Sequence, residues 1–251
     1  MIYLVLFVFG SCMGSFANVC ISRIPKSLSV VWPKSFCYHC KTPVKCHENI
    51  PILSYLFLGG KCRHCGAKIG MVSLLVEIIS GAAALLIFSY HGISLAGLFL
   101  FIFFELLLMI SCIDMAHKII PNILSLPGIL LFFGVSFLPW GIGWQDAFLG
   151  IMAGGGLLYL IALIYSKIRK TRGMGGGDLK LLAMVGAFTG WQGVMFTLFL
   201  SSFLGTLTGL GILLTNQNLN MKTSLPFGPF ISFAAVVYLL FKEPLIYWYL
   251  H

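Results

Sequence analysis

The stretch that decides the fold runs from residue 95 to residue 113: Leu-Ala-Gly-Leu-Phe-Leu-Phe-Ile-Phe-Phe-Glu-Leu-Leu-Leu-Met-Ile-Ser-Cys-Ile, with Glu105 as its only charged side chain. A helix of this length rises about 28 Å at 1.5 Å per residue, which is close to the ~30 Å hydrocarbon core of a bilayer. The stretch therefore predicts a transmembrane helix.

Similar apolar stretches occupy most of the 251-residue chain, which is 59% hydrophobic and only 9% charged. Soluble proteins carry about 25% charged residues, so this composition excludes a soluble enzyme. We predict an all-α, polytopic transmembrane helical bundle of about eight spans, or seven if the short sixth span does not cross. The predicted spans lie near residues 1–22, 72–90, 95–113, 123–139, 145–166, 178–192, 194–214 and 228–249.

The polar connections predict the domain organisation and the orientation. Residues 1–22 form the first span, residues 23–71 a small cysteine-rich loop domain, and residues 72–251 the rest of the bundle. If the spans alternate in direction, all 16 basic residues except Lys242 fall on one side. That side is then cytoplasmic by the positive-inside rule, with both termini outside. The distribution of the basic residues, rather than the net charge of +9, thus orients the chain. We expect no nucleic-acid partner because no basic run is interleaved with aromatic residues.

Four cysteines of the loop domain form two C-x-x-C pairs, Cys37 with Cys40 and Cys62 with Cys65. Each pair can offer two thiolates from one tight turn, and two such turns complete the tetrahedron that Zn²⁺ prefers. With four protein ligands the metal would be structural, since no position is open for a substrate water. Two disulfides, redox use and unligated thiols are the alternatives. Other residues that could replace a ligand are His39, Cys46, His47 and His64.

Two aspartates are predicted to lie at the same membrane face. Asp114 ends the third predicted span as it reaches the cytoplasmic side, and Asp178 opens the sixth as it leaves that side. Paired carboxylates that share a proton can activate water and protonate a leaving group. The competing explanations are an ion pair of Asp114 with Lys118 and a helix cap at Asp178 beside Lys180.

The other acidic residues of the spans do not fit this pair as well. Glu105 precedes Asp114 by nine residues, which places it about half a turn out of phase on one helix. We expect Glu105 to be a buried carboxyl bonded to a neighbouring helix. For Glu77, a structural contact with Arg23 and a role in chemistry remain equally open.

Glycine precedes Asp178 at positions 173, 175, 176 and 177. Without side chains, this backbone could approach an extended peptide substrate closely. A flexible linker is the alternative explanation, and phosphate binding is disfavoured because the string lacks the Walker spacing.

A series of motifs now allows a family to be named. They are Gly14-Ser-Phe-Ala-Asn-Val-Cys-Ile-Ser-Arg-Ile-Pro25, the two C-x-x-C pairs around Asn49-Ile-Pro51, Asp114 with Ile120-Pro-Asn122, Gly173-Met-Gly-Gly-Gly-Asp-Leu-Lys-Leu-Leu-Ala183 and Pro226-Phe-Gly-Pro-Phe230. In these motifs the chain resembles the bacterial type IV prepilin peptidases, which are aspartic membrane proteases of the G-x-G-D class that also methylate their product.

The resemblance implies a function and its site. Asp114 and Asp178 match the two catalytic aspartates of the family, and the substrate is a prepilin or pseudopilin cut at the cytoplasmic face of the bacterial inner membrane. The new amino terminus is then N-methylated with S-adenosylmethionine as donor. The implied partners belong to type IV pilus, type II secretion or competence systems.

Two functions from other classes compete with this prediction. One is a transporter whose intramembrane acids carry protons or cations and whose cysteine loop senses metal. The other is a noncatalytic, zinc-bearing scaffold of a secretion machine. The transporter hypothesis predicts ionisable groups near the middle of the bilayer, whereas the peptidase hypothesis predicts them at one edge.

Overall fold

The computed structural model describes residues 1–33, 35–37, 39–169, 175–215 and 225–250. The described chain is helical, and its only β-type pairings are two isolated bridges, which confirms the all-α prediction. The helices are α1 (Ile2–Arg23), α2 (Leu53–Phe57), α3 (Met71–His91), α4 (Leu95–His117), α5 (Asn122–Val135), α6 (Trp144–Ile151), α7 (Leu158–Arg169), α8 (Gly176–Thr215) and α9 (Gly228–Leu250). A π-helical segment, Met152–Leu157, joins α6 to α7.

Five helical segments of the described chain are long and apolar enough to cross a membrane. They are Ile2–Lys26, Met71–His91, Leu95–His117, Trp144–Ile168 and Gly176–Ile212, and two apolar helices are shorter, Asn122–Val135 and Gly228–Phe241. The predicted count of eight spans is therefore not confirmed. The predicted spans 178–192 and 194–214 both lie in α8, which bends at Gly190 with φ 76° and ψ −178°. Because glycine tolerates this backbone, the helix changes direction without an intervening polar loop.

The chain divides into two compact units, residues 1–109 and 110–251. In the first unit, α1 and α3 pack at very short range through small residues. A side-chain carbon at Gly10 would lie 2.6 Å from the Ala84 methyl carbon, and one at Gly14 would lie 2.8 Å from Cβ of Ser80. Gly-x-x-x-Gly spacing on α1 thus lets the two backbones approach, which is how helices associate without a hydrophobic driving force in lipid.

Aromatic rings form part of the core of this unit. The rings of Phe9, Phe88 and Phe101 form a cluster with centroid separations of 5.8 to 6.3 Å. Phe88 and Phe101 are buried together with Ala83 and Ala84. Glu105 is also buried, as expected, and lies beside the Ser80 hydroxyl of α3 without forming a hydrogen bond to any described residue.

In the second unit, α8 is the central helix and packs against α5, α6 and α9. Its contact with α6 is again made by glycines, because a side-chain carbon at Gly186 would collide with the backbone of Gly150. Gly154, in the π-helical segment, meets the backbone of Leu182 in the same way. These contacts fix the position of α8, whose first turn carries Asp178.

Candidate active site and metal centre

Asp114 and Asp178 both lie in the second unit, at the ends of two helices. Asp114 lies in the last turn of α4 and is buried, and Asp178 lies in the first turn of α8 and is partly buried. The two carboxyl groups are close enough to act electrostatically on each other. Both positions are at helix ends, as the peptidase hypothesis requires and the transporter hypothesis does not.

The segment after α4 holds the first turn of α8 in place. A side-chain carbon at Gly177 would lie 2.9 Å from Cβ of Ile120, so glycine is needed for this close contact. One turn further, Nζ of Lys180 donates a hydrogen bond of 2.7 Å to Oδ1 of Asn122. Thus the motif Ile120-Pro-Asn122 positions the residues around Asp178, and Lys180 has a partner of its own in Asn122.

A third chain segment reaches the site at Gly228, the first residue of α9. Its backbone N–H donates a hydrogen bond of 2.8 Å to Oδ2 of Asp114. A side-chain carbon at Gly228 would lie 2.8 Å from the same oxygen, so only glycine fits here without a shift. This bond orients the Asp114 carboxyl group, and nothing in the sequence pattern had assigned the Pro226–Phe230 motif that role.

The glycine-rich approach to Asp178 is described only in part. Of the predicted string, Gly173 lies outside the described residues, whereas Gly175, Gly176 and Gly177 are described. A side-chain carbon at Gly175 would lie 3.0 Å from Oδ2 of Asp178. At Gly176, a side-chain carbon would have no atom within 4 Å. The backbone next to the carboxyl group is therefore bare.

In the first unit, the two C-x-x-C pairs form two turns with the same hydrogen bonds. The backbone N–H of Cys37 donates to the carbonyl of Thr42, and that of Cys62 donates to the carbonyl of Ala67, at 2.9 and 2.8 Å. In the reverse direction, the N–H groups of Lys41 and Gly66 donate to the carbonyls of Cys37 and Cys62. Lys41 and Gly66, which directly follow the second cysteine of each pair, have left-handed φ angles of 59° and 69°. We refer to residues 36–43 and 61–68 as the two knuckles.

The knuckles bring four sulfur atoms together. Sγ of Cys37 lies 3.8 Å from Sγ of Cys65, and Sγ of Cys40 lies 4.0 Å from Sγ of Cys62. All four sulfur atoms lie within 4.8 Å of one another. A tetrahedral ion with metal–sulfur bonds of about 2.3 Å needs sulfur atoms roughly 3.8 Å apart. The cluster can therefore bind a metal ion, and all four cysteines are free rather than joined in disulfides.

Hydrogen bonds within the knuckles favour the thiolate form that metals bind. Hydrogen bonds from the side chain and the backbone N–H of Thr42 lower the pKa of Cys40 to about 6. The backbone N–H groups of Cys65 and His64 also lower the pKa of Cys62. At Cys65, the Ala67 N–H favours the thiolate, but desolvation and the neighbouring sulfur atoms raise the pKa to about 11. Such crowding of negative charge is relieved when a cation enters the cluster.

The replacement ligands considered from the sequence do not join this cluster. Among the described side chains, the group that could hold a metal consists of the four cysteines alone. His39 and His64 instead line a neighbouring cavity. The side chains of Cys46 and His47 lie outside the part of the chain that the structure describes.

The fold and the two sites define a class, which is a polytopic helical membrane protein with a carboxyl pair at helix ends and a cluster of four thiols that can bind a metal ion. Comparison with known families identifies it further. The model for the bacterial peptidase A24 N-terminal domain matches residues 8–91, which include the knuckles, and the model for the type IV leader peptidase family matches residues 100–210, which include both aspartates. The chain belongs to the type IV leader peptidase family, as its resemblance predicted.

Curated relatives match almost end to end. The chain is 35% identical to a prepilin leader peptidase/N-methyltransferase of Aeromonas hydrophila, with 97% of this chain and 92% of the relative covered. It is 34% identical to one of Pseudomonas aeruginosa, covering 96% and 91% of the two chains. A relative of the same name in Burkholderia pseudomallei is 33% identical, with coverages of 94% and 84%. No solved structure was found to match the chain.

Proposed function

We propose that this chain is a membrane aspartic endopeptidase that removes the leader peptide of prepilins or pseudopilins and then methylates the new amino terminus. The observation that carries the proteolytic part is the pair of Asp114 and Asp178, two interacting carboxyl groups in a member of the leader peptidase family. The site lies at helix ends, where a substrate whose own apolar helix is in the membrane presents its cleavage site.

The proposed peptide-bond hydrolysis requires that the carboxyl groups of Asp114 and Asp178 share one proton. One carboxylate removes a proton from a water molecule, whose oxygen attacks the carbonyl carbon of the scissile bond, while the other carboxyl group protonates the carbonyl oxygen. When the tetrahedral intermediate collapses, the C–N bond breaks and the first aspartate passes its proton to the leaving nitrogen. The second regains a proton from the hydroxyl that becomes the carbonyl, so the pair returns to its starting state.

Two local features support the assignment of these roles. The Gly228 N–H holds one oxygen of Asp114, which leaves the carboxyl group little freedom to rotate away from Asp178. Beside Asp178, the bare backbone at Gly175 and Gly176 can accommodate an extended peptide. We assign that backbone to the substrate residues next to the scissile bond.

The decisive experiment replaces each aspartate by its isosteric amide. Purified Asp114→Asn and Asp178→Asn variants are mixed with a prepilin, and the cleaved product is quantified on gels. We expect each variant to lose at least about 10³-fold in rate, since general acid and base roles contribute 10²–10⁴-fold each. Asp146→Asn, which neutralises an exposed aspartate of α6, is the matched control and should cleave normally. Full activity in either active-site variant would refute the assignment.

We further propose that the metal of the four-cysteine cluster is Zn²⁺ and that its role is structural. Tetrathiolate ligation leaves no position for a substrate water, and a loop domain of this size has too small a core to fold without added stabilisation. Cys37→Ser and Cys62→Ser should lower the zinc content measured by elemental analysis, whereas Cys12→Ser, at an exposed cysteine of α1, should not. Unchanged zinc in the first two variants would contradict this proposal.

For the methylation step we propose S-adenosylmethionine as donor. The lone pair of the new terminal amine forms the N–C bond as the S–C bond of the donor breaks, the electron pair stays on sulfur, and the amine proton leaves to water. Transfer of a labelled methyl group to cleaved prepilin, detected by mass spectrometry, tests this step. Prepilin that is cleaved but never gains a methyl group would refute it.

The orientation proposed here places the knuckles and both aspartates on the cytoplasmic side, because the basic residues collect in the connections of that side. A membrane-impermeant lysine reagent should label these connections in inverted membranes and not in intact spheroplasts. The opposite labelling pattern would reverse the orientation.

A further inference from the structure

The short helix α2 of the loop domain is amphipathic, but its apolar side faces outward. Leu53, Leu56 and Phe57 lie at positions i, i+3 and i+4, which share one face of a helix. Their exposed fractions are 50%, 62% and 86%. A single exposed apolar side chain is ordinary, whereas three on one helical face indicate an interaction surface.

The other side of α2 is fixed to the chain around it. Oγ of Ser54 accepts a hydrogen bond of 2.9 Å from the N–H of Ile50, and the Tyr55 hydroxyl donates to the carbonyl of Ile69 at 3.4 Å. A side-chain carbon at Gly60 would lie 2.9 Å from Cζ of Tyr55, so the ring packs closely on the turn that follows α2. The polar side chains therefore have partners inside the domain, and the apolar face is left as the outer surface of the helix.

Two hydrogen bonds set the level of α2 along the membrane-spanning helix α3. Just before α2, the N–H of Ile52 donates to Oε2 of Glu77 at 2.7 Å. Just after α2, the carbonyl of Gly60 accepts the N–H of Ile69 at 2.7 Å, two residues before α3 begins. Glu77 lies about 9 Å along α3 from Met71, at 1.5 Å per residue. The segment that contains α2 is thus attached between the start of α3 and its second turn.

This level corresponds to the boundary of the bilayer. The 21 residues of α3 rise about 32 Å, which matches the ~30 Å hydrocarbon core, so the first turns of α3 lie where head groups meet acyl chains. The same turns expose the apolar side chains of Met71, Val72 and Leu75. Interfacial helices bury their apolar face about 5–10 Å into this boundary. Both the depth and the outward apolar face of α2 fit such a helix.

The loop that follows α1 supports the same arrangement. Nη1 of Arg23 donates a hydrogen bond of 3.0 Å to the carbonyl of Ser29, which draws this loop back to the last turn of α1. The N–H groups of Val31 and Trp32 donate to Oγ of Ser29 at 3.3 and 3.2 Å, and both side chains are exposed. Tryptophan is enriched at membrane interfaces, because its ring is apolar and its N–H is polar. The loop domain therefore has apolar side chains at the ends of both of its flanking spans.

We propose that α2 is an interfacial helix whose side chains Leu53, Leu56 and Phe57 insert among the acyl chains at the membrane surface. The partner is lipid rather than another protein, because a specific protein interface involves about 20–30 residues on each side. This anchor holds the second knuckle, which begins four residues after α2, close to the membrane. It requires neither the proposed proteolysis nor the proposed methylation.

The first test uses the full-length protein in lipid nanodiscs and a photoreactive side chain on α2. Phe57→p-benzoylphenylalanine places a benzophenone on the apolar face, and Tyr55→p-benzoylphenylalanine places one on the inward side of the same helix as the matched control. After irradiation, mass spectrometry should detect a lipid adduct at position 57 and none at position 55. A crosslink from position 57 to another segment of this chain or to a second copy, in place of lipid, would overturn the proposal.

Footprinting of the unmodified protein in the same nanodiscs gives an independent result. Hydroxyl radicals generated in water oxidise side chains that water reaches. The side chains of Leu56 and Phe57 should stay unmodified, whereas His64, which is exposed in the second knuckle, should be oxidised. Because no residue is replaced, this measurement decides the matter even if the position-57 variant folds poorly. Oxidation of Phe57 to the same extent as His64 would rule out the anchor and leave the proposed enzymatic functions unaffected.

Discussion

Replacing Gly228 by alanine tests how the aspartate pair is positioned. The backbone of Gly228 is not in the left-handed region, so alanine adds one methyl group without backbone strain. That methyl carbon would lie 2.8 Å from Oδ2 of Asp114 and 3.2 Å from its Cβ and Cγ. Because non-bonded carbon contacts are comfortable only beyond about 3.5 Å, either the carboxyl group or the first turn of α9 must move by roughly 0.5 Å.

The size of the effect follows from the bond that this movement disturbs. The Gly228 N–H lies 2.8 Å from Oδ2 of Asp114, and the shift weakens or breaks this hydrogen bond. A hydrogen bond to a charged group contributes about 1.5–3 kcal/mol, which corresponds to roughly 10- to 150-fold in rate if it is lost in the transition state. Catalytic groups tolerate displacements of only about 0.5 Å, so the loss should appear in kcat rather than in KM.

Steady-state cleavage of a prepilin measures this loss. The control is Gly134→Ala in α5, where a side-chain carbon meets no atom within 4 Å, and this variant should keep the original kcat. Thermal unfolding establishes that both variants are folded. A Gly228→Ala enzyme with unchanged kcat would refute the conclusion that this backbone group orients Asp114.

Three further predictions concern the knuckles and the packing of α8. Gly66→Ala should destabilise the second knuckle by about 1–2 kcal/mol, because φ at this position is 69° and alanine is strained in that left-handed region. A chelator should then extract bound metal faster from Gly66→Ala than from the control Gly70→Ala, whose backbone is extended. Gly186→Ala should lower the melting temperature by several degrees, because the added methyl group overpacks the contact with α6. The Gly70→Ala control should leave the melting temperature unchanged, because a side-chain carbon there has no atom within 4 Å. In metal-free protein at pH 7, Cys40 should react with iodoacetamide faster than Cys65, since its pKa is lowered to about 6 while that of Cys65 is raised to about 11. The Cys40 rate should fall as the pH drops below 6, where the thiolate is protonated, and mass spectrometry of the modified peptides reports both rates.

Much of the fold was predictable because lipid imposes a simple rule on sequence. Backbone groups in hydrocarbon must be satisfied within the segment, so long apolar stretches such as residues 95–113 form helices. Hydropathy does not report whether two stretches form one helix or two, and a single glycine, Gly190, joins the predicted sixth and seventh spans in α8. This merger removes one of the eight predicted spans, and two others, 123–139 and 228–249, fall on the shorter apolar helices Asn122–Val135 and Gly228–Phe241, which leaves the five segments long enough to cross.

The candidate sites were predictable to the extent that side-chain chemistry identifies them. The spacing of the cysteines predicted a metal-binding cluster, and the structure confirms that all four sulfur atoms converge. That Asp114 and Asp178 catalyse cleavage stays a prediction until the amide variants are measured. The Gly228 N–H was missed because a backbone donor has no signature in residue type. The glycine of the Pro226–Phe230 motif was the available signal.

The repeated hydrogen-bonding pattern of the knuckles has a consequence for how the protein is made. Each knuckle closes through bonds that span at most five residues, so the half containing Cys37 can form on the ribosome before Cys62 has been translated. A metal ion that binds there would then meet two preformed pairs of thiols rather than four thiols on an unstructured chain. If a metal ion fills the cluster, we expect it to bind after both knuckles have formed, at a rate set by how quickly the intervening chain brings the two knuckles together.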